Sequence, residues 1–386
     1  MRRSIRSILV ATATAALVLP LCAVTAANAT PPGFSNADKG ALRNQAPADL
    51  AIGSAVWGRN QLMDYDRKAP TEYQRVLGAQ FSSLTPENDM KWDALRPTAD
   101  TYDFESADAL VAFAKANHQE VRGHTLLWHS QNPAWVTEAS RTWTCDDARA
   151  VLEDHIRTVV GHFKGEIYEW DVANEIFQDT WDNGGVKLRT EANPFLKACA
   201  DDPVGLLVDA FTWAHEADPD AVLFLNDYNA EGINEKTDAY YALAQEMLDR
   251  GAPLGGFGAQ AHLSLQYGFD TSLQANFERF AALGLNVAIT EADVRIPLLD
   301  GETGPTAEQV AAQTERYDAL LQACLNVDAC SSFTVWGFPD ANSWVPDVFP
   351  GEGWATPFED DFTPKPAFHA MLESLTEATP GTSPRR

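Results

Sequence analysis

The sequence predicts a single-domain α/β fold, a (β/α)8 TIM barrel in which eight parallel strands alternate with helices. Three observations predict it. Eight apolar, β-rich runs begin 31, 40, 47, 54, 34, 30 and 46 residues apart, which leaves room for a crossover helix between neighbours. Helical patterns fill the intervals, and no internal linker rich in Pro, Ser or Gly divides the chain.

The predicted strands are short apolar runs, most of which end in polar or aromatic residues. They cover residues 49–57, 80–88, 120–129, 167–175, 221–229, 255–263, 285–293 and 331–340.

Helical periodicity is clearest at residues 146–163, where one face carries Val151, Leu152, Ile156, Val159, Val160 and Phe163. Further helices are predicted at residues 105–117, 204–216, 237–250, 271–283 and 306–326. The alternative is an open doubly wound sheet, which usually has a glycine-rich phosphate turn after its first strand. Residues 51–58 contain no such turn, which favours the barrel.

The N-terminus has the pattern of a secretory signal. Three arginines precede an apolar run at residues 8–24, and a small-residue cleavage pattern, ANA, follows at residues 27–29. We therefore expect a signal peptide at residues 1–29, a lead-in at 30–41, a catalytic domain at 42–376 and a short disordered tail at 377–386. The mature protein is expected to be extracellular and free of the membrane. The general secretory route is favoured over a twin-arginine route.

The composition is strongly acidic, with a formal net charge of −27 for the whole chain. Loss of three arginines with the signal leaves 25 basic and 55 acidic residues, or 25 − 55 = −30. Such a charge argues against nucleic acid as a partner and favours a neutral or basic substrate, although it also fits a role in solubility alone. We expect a monomer.

Four of the five cysteines remain after signal removal. Oxidising conditions outside the cell permit disulfides. Cys324 and Cys330 are close in sequence across a helix end, so we pair them with each other and Cys145 with Cys199. Two other pairings of the four are open.

In a barrel of this kind, functional residues lie at the carboxyl ends of the strands. Nearly every predicted end here carries amide, acidic or aromatic groups. Aromatic rings stack on sugar rings while amides and carboxylates bind hydroxyls, so a sugar-binding cleft fits better than ordinary polar loops.

Two strand ends carry a glutamate each, in WDVANE at residues 170–175 and in ITEAD at residues 289–293. Placing a carboxylate at the end of a buried strand costs free energy. Glu175 and Glu291, 291 − 175 = 116 residues apart, therefore suggest a pair acting on one bond. Glycoside hydrolysis is the reaction that most often requires such a pair.

Histidines at positions 118, 124 and 129 raise the question of a metal. Residues five apart on a strand point to opposite faces, so a zinc site is disfavoured. We expect no catalytic metal and no cofactor, while a structural calcium ion remains open.

The motifs together resemble glycoside hydrolase family 10, mostly endo-β-1,4-xylanases, over roughly residues 42–375. The matching segments, in order, are TPENDMKW at 85–92, RGHTLLWH at 122–129, WDVANE at 170–175, NDYN at 226–229, QAH at 260–262, ITEAD at 289–293 and WG at 336–337.

This resemblance implies catalytic roles. Glu175 is expected to be the acid/base and Glu291 the nucleophile of a retaining double displacement, whose carboxyl groups are about 5–5.5 Å apart. His262, supported by Asp293, should bind Glu291 and keep it ionised. Asn174 should bind the 2-hydroxyl of the sugar under attack.

The resemblance also implies a set of substrate-binding residues. Glu87, Asn88 and Lys91 are expected to bind the next sugar towards the non-reducing end. His124, Trp128 and Gln260 line the cleavage subsite, Trp336 and Trp344 wall it, and Tyr228 stacks on the leaving-group side. For Trp344 and Tyr228, packing in the core is the serious alternative.

The sequence thus predicts a secreted endo-1,4-β-xylanase that acts on xylan or xylo-oligosaccharides. A barrel endoglucanase acting on β-1,4 or mixed-linkage glucan is one alternative. A non-catalytic glycan-binding barrel is the other, although it would usually lack one of the two glutamates.

Overall fold

The computed structural model describes residues 40–179, 185–298 and 304–378. The predicted signal at residues 1–29 lies outside the described residues, as do residues 30–39 of the lead-in and 379–386 of the tail. None of the helices in these three stretches is long and apolar enough to cross a membrane.

Eight parallel strands close into a barrel, as predicted, around which the chain forms one domain. The order around the barrel is β1, β2, β3, β4, β5, β6, β8 and β9, and β9 pairs with both β8 and β1. Short strands β7 and β10 pair with the extended end of β8. The strands are β1 (Ala51–Val56), β2 (Ser83–Pro86), β3 (Glu120–Leu127), β4 (Glu169–Asn174), β5 (Val222–Asp227), β6 (Gly256–Ala259), β7 (His262–Ser264), β8 (Asn286–Pro297), β9 (Cys330–Val335) and β10 (Glu352–Gly353).

Helices surround the barrel, and all six predicted ones are present with ends within two residues of the prediction. The helices are α1 (Leu42–Gln45), α2 (Gly58–Gln61), α3 (Glu72–Gln80), α4 (Trp92–Leu95), α5 (Glu105–Ala116), α6 (Ala134–Ala139), α7 (Cys145–His162), α8 (Pro194–Ala198), α9 (Pro203–Ala217), α10 (Glu235–Asp249), α11 (Leu273–Ala281), α12 (Ala307–Leu325), α13 (Val345–Val348) and α14 (Pro366–Ala378).

Four of the long helices, α7, α9, α10 and α12, begin after a residue whose side chain accepts from a backbone N–H group of the first turn. Thr144 and Asp147 form a reciprocal capping box at the start of α7, and Thr306 and Gln309 do so for α12. These local contacts define where the four helices begin.

The predicted strand ends are less accurate than the helix ends, since β8 continues to Pro297 and β9 ends at Val335, and one predicted strand is interrupted. The run at residues 255–263 is two strands, β6 and β7, because Ala261 has a left-handed backbone with φ of 64°. Strand β7 therefore leaves the barrel path and pairs with the extension of β8, where His262 is opposite Asp293. The interruption changes the direction of the side chains on either side of it.

Both disulfides have the predicted pairing. Cys145 at the start of α7 is joined to Cys199 after α8, and Cys324 near the end of α12 is joined to Cys330 at the start of β9. The first therefore links two outer helices, and the second ties an outer helix to a barrel strand.

Candidate active site

A cleft of about 1210 Å³ opens at the carboxyl ends of the barrel strands. Twelve of the fourteen predicted catalytic and binding residues line it: Glu87, Asn88, Lys91, His124, Trp128, Glu175, Tyr228, Gln260, His262, Glu291, Trp336 and Trp344. The other two, Asn174 and Asp293, are buried behind the lining. The predicted residues thus converge on one place.

Glu291, in the middle of β8, is buried and fully engaged. Its Oε1 accepts a hydrogen bond from Asn226 Nδ2 at 2.8 Å, and its Oε2 is 3.2 Å from His262 Nε2. Burial raises the pKa of Glu291, but the charge of His124 and the hydrogen bond from His262 outweigh it and bring the pKa below its usual value. The carboxyl is therefore ionised at neutral pH.

His262 is the cation beside that carboxylate. Its Nδ1 is 2.9 Å from Asp293 Oδ2, while Trp344 Nε1 donates to the same oxygen at 2.7 Å. Burial lowers the pKa of His262, but the charge of Asp293 and hydrogen bonds with Asp293 and Glu291 prevail and raise it to about 10. At neutral pH both ring nitrogens therefore donate.

Glu175 follows directly after β4, and its φ of 51° turns the chain there into the cleft. Its Oε1 accepts from Gln260 Nε2 at 3.2 Å, and its Oε2 is 3.8 Å from His129 Nδ1. Burial lowers the pKa of His129, so this neighbour is neutral and does not pair with the carboxyl as an ion. Glu175 is thus less strongly bound than Glu291.

Side-chain amides connect the surroundings of the two glutamates. Asn174 Oδ1 accepts from Asn226 Nδ2 at 2.9 Å and from Gln260 Nε2 at 3.2 Å. Asn174 and Asn226 are opposite each other on β4 and β5. Backbone pairing therefore fixes the spacing of the amides that contact Glu175 and Glu291.

A buried ion cluster lies beneath Glu291, inside the barrel. Arg122 on β3 pairs with Glu169 and, at 2.5 Å, with Asp171, both on β4. Asp171 Oδ2 is in turn 3.0 Å from His124 Nδ1, which is 4.0 Å from Glu291 Oε1. His124, Asp171 and Glu291 offer atoms within 4.8 Å of one another. Asp171 is bound to Arg122, and Glu291 to Asn226 and His262, so ion pairing and hydrogen bonding account for the cluster.

One side of the cleft carries a basic residue, Lys91, and an acidic residue, Glu87. Lys91 Nζ donates to Asn88 Oδ1 at 3.1 Å and to Gln131 Oε1 at 2.8 Å, and is 4.8 Å from the centre of the Trp128 ring. Burial is the main cause that raises the pKa of Glu87 to about 6. The group offers several donors and acceptors to a polyhydroxylated ligand.

Two tryptophans form a wall beside His262. The centre of the Trp344 ring is 4.9 Å from that of His262, and the Trp336 ring is 6.0 Å from it in an edge-on arrangement. Trp336 also stands 5.4 Å from the His124 ring. Both tryptophans line the cleft, so the alternative that Trp344 is only a core residue is wrong.

Tyr228 lines the cleft near Glu175. Its hydroxyl donates to Asp179 Oδ2 at 2.6 Å and accepts from Arg189 at 2.8 Å. Lys236 Nζ is 3.9 Å from the centre of its ring. These contacts leave Tyr228 as part of the cleft surface, not of the core.

Four residues of the site were given no catalytic or binding role from the sequence, although two of them lie in the motifs quoted above: Asn226, His129, Gln131 and Glu231. Asn226 had a readable signal, because it begins the NDYN segment at residues 226–229, in the last part of a predicted strand. Gln131, with φ of 46°, and His129 follow β3 in the same loop as Trp128. Glu231 lies after β5 without any local motif.

The comparisons with known proteins agree with this geometry. Glycosyl hydrolase family 10 matches residues 41–374. Endo-1,4-β-xylanase B of Thermotoga neapolitana is 38% identical over 307 residues, which is 79% of this chain and 84% of that protein.

Solved structures give the same result. The crystal structure of native xylanase 10B from Thermotoga maritima superposes with a TM-score of 0.78 at 39% identity, covering 87% of this chain and 98% of that one. Xylanase 10B from Thermotoga petrophila in complex with xylobiose gives a TM-score of 0.78 at 38% identity, covering 87% and 97%. The barrel, the two glutamates that line one cleft and the match along nearly the whole described chain show that this protein belongs to glycosyl hydrolase family 10.

Proposed function

We propose that the chain is a secreted endo-1,4-β-xylanase that hydrolyses internal β-1,4 bonds of xylan with net retention of configuration. The observation that carries the proposal is the contrast between the two glutamates. Glu291 is ionised between His262, Asn226 and His124, whereas Glu175 faces the same cleft with only weak partners. Relatives named as xylanases support the choice of substrate.

In the first step, a carboxylate oxygen of Glu291 attacks the anomeric carbon of the sugar in the cleft. The bond from that carbon to the glycosidic oxygen breaks as Glu175 donates its proton to the oxygen. The product is a glycosyl ester of Glu291, and the leaving sugar chain departs with the proton.

In the second step, the carboxylate of Glu175 takes a proton from water, and the hydroxyl attacks the same anomeric carbon. The ester bond to Glu291 breaks, which restores the carboxylate. Two inversions give net retention. His262 and Asn226 are already placed to donate hydrogen bonds to Glu291, so they would stabilise the negative charge that returns to its carboxylate.

The remaining lining residues bind sugar. We assign Glu87, Asn88 and Lys91 to the unit on the non-reducing side, and Asn174, His124, Trp128 and Gln260 to the unit under attack. Tyr228 would stack on the leaving-group side. Trp336 and Trp344 would wall the place where glucose, unlike xylose, carries a hydroxymethyl group, and so disfavour glucans by steric clash.

Secretion is part of the proposal. The signal-like N-terminus and the two disulfides support it, because disulfides persist in oxidising compartments. Detection of the mature protein in culture medium, with its N-terminus at residue 30, would test it directly.

The activity is tested by measuring the release of new reducing ends from xylan and, in parallel, from carboxymethyl cellulose. The parent protein should release them rapidly from xylan only, and Glu291→Ala should abolish the release. Glu235→Ala, at an exposed position on α10, is the matched control and should act as the parent does.

Two outcomes would change the proposal. Release mainly from the cellulose derivative would preserve the mechanism and replace the substrate by a glucan. No release from either polymer, with xylan still bound, would favour a non-catalytic glycan-binding barrel.

A further inference from the structure

Ala261 is the pivot between the residues that contact the two glutamates. Gln260 on one side contacts Glu175, and His262 on the other contacts Glu291. With φ of 64°, Ala261 has a left-handed conformation that is unfavourable for residues other than glycine. Some other contact must therefore stabilise the backbone here.

Glu231 makes that contact. Its Oε1 accepts a hydrogen bond from the backbone N–H of Ala261 at 2.9 Å. The last N–H group of this segment that pairs with β5 is that of Gln260, which donates to Asp227 O at 3.0 Å. The Glu231 side chain thus accepts from the first backbone N–H group beyond the hydrogen bonds that join this segment to β5. The opposite group, Ala261 O, accepts from Asp293 N at 3.3 Å.

Glu231 is itself anchored from outside the barrel by α11 and the residue before it. Asn276 Nδ2 on α11 donates to Ala230 O at 3.0 Å and to Glu231 O at 3.2 Å. Ser272 Oγ accepts from Ile233 N at 2.8 Å. Glu231 and Asn276 are both buried. The backbone that carries the Glu231 side chain is therefore held by hydrogen bonds to the outer helix layer, and the side chain in turn holds Ala261.

We infer that Glu231 is a positioning residue: through the Ala261 N–H, it fixes the turn that aims Gln260 at Glu175 and His262 at Glu291. This role rests on the proposed function, because the two contacts matter for rate only if these glutamates carry the reaction. Glu231 acts through hydrogen-bond geometry, so an acceptor of the same length suffices and a negative charge is not required.

Four variants test the inference: Glu231→Gln, Glu231→Asp, Glu231→Ala and the control Glu235→Ala. Glutamine retains an acceptor oxygen at the same distance, whereas aspartate retains the charge but is one methylene shorter. We expect Glu231→Gln to stay within threefold of the parent kcat on xylo-oligosaccharides. Glu231→Asp and Glu231→Ala should lose roughly 10- to 100-fold in kcat, because small misplacements of reacting groups are costly.

KM should change less than kcat in Glu231→Asp and Glu231→Ala, because Gln260 is only one of several residues assigned to the sugar under attack, whereas the contacts with both glutamates depend on the turn. Equal kcat values for the parent, Glu231→Asp and Glu231→Ala would overturn the inference. So would a Glu231→Gln variant as impaired as Glu231→Ala, which would indicate a role for charge. If Glu231→Ala does not fold, the comparison of aspartate with glutamine still decides, and a glutamine variant that does not fold would also overturn the inference.

The ring nitrogen chemical shifts of His262 provide a readout that needs no substrate. They should match the parent in Glu231→Gln and move in Glu231→Asp as the contact with Glu291 loosens. A parent chain that is inactive on xylan would contradict the proposed function, whereas unmoved His262 shifts in Glu231→Asp would contradict the positioning role alone.

Discussion

His262 Nε2 lies 3.2 Å from Glu291 Oε2 and joins a partly buried cation to a buried anion at the centre of the cleft. Asp293 completes the series on the far side of the imidazole, 2.9 Å from Nδ1. Neither charge would be stable there alone, because burial of an unpaired ion is costly. The negative charge of Glu291, the proposed nucleophile, is therefore stabilised by neighbouring side chains and not by solvent.

The His262 pair predicts an effect on rate. Replacement by asparagine removes a charged hydrogen bond, which contributes about 1.5–3 kcal/mol, so we expect kcat to fall roughly 10- to 100-fold. His369→Asn, at an exposed position on α14, is the control and should be neutral. Equal kcat values for the two variants, measured on xylo-oligosaccharides, would contradict the assigned role.

The same pair predicts a dependence of stability on pH. The folded-state pKa of His262, about 10, exceeds the unfolded value near 6.5. Its contribution to the unfolding free energy is therefore complete below about pH 6.5 and is lost as the pH rises through about 10. Urea unfolding of the parent and His262→Asn at pH 6 and pH 10 should give a stability gap that shrinks at the higher pH. A constant gap would mean that the ring is not charged in the folded protein.

The wall beside His262 predicts two separable effects. Trp344→Phe retains an aromatic ring but removes the hydrogen bond to Asp293, so kcat should fall about 2- to 10-fold without a change in substrate preference. Trp344→Ala opens the wall, so activity on an aryl cellobioside should rise relative to that on an aryl xylobioside. An unchanged ratio in Trp344→Ala would show that the wall does not exclude glucose.

The buried cation inside the barrel predicts a large effect on stability. Arg122→Met leaves Glu169 and Asp171 without their cation, which should lower the unfolding free energy by about 3–5 kcal/mol. Arg157→Met is the matched control, because Arg157 pairs with Glu153 and Glu216 on the surface. It should cost less than about 1 kcal/mol. Chemical denaturation would measure both losses. Similar losses of unfolding free energy in the two variants would mean that Glu169 and Asp171 do not depend on the charge of Arg122.

Sequence reasoning was most accurate where the cause is local. Amphipathic periodicity placed the six predicted helices, and motifs at strand ends placed the residues of the cleft. The longer helices α3 and α14 were not singled out, and neither were the short helices α1, α2, α4, α6, α8 and α13. The β6–β7 interruption was missed because the left-handed residue is an alanine, which carries no sequence mark of that conformation.

Contacts between distant segments were beyond the sequence. Glu231 and Ala261 are 30 residues apart, and Arg122 and Asp171 are 49 apart. Nothing near Glu231 or Arg122 shows which backbone or side chain will face it. Only closure of the barrel brings these partners together.

The anomeric configuration of the first products tests the central claim most directly. Proton NMR of xylohexaose hydrolysis, recorded before mutarotation, should show internal cleavage and the β-anomer accumulating first. That result would mean two displacements, as a nucleophilic Glu291 and an acid/base Glu175 require. First appearance of the α-anomer would mean a single displacement by water and would contradict the role given to Glu291.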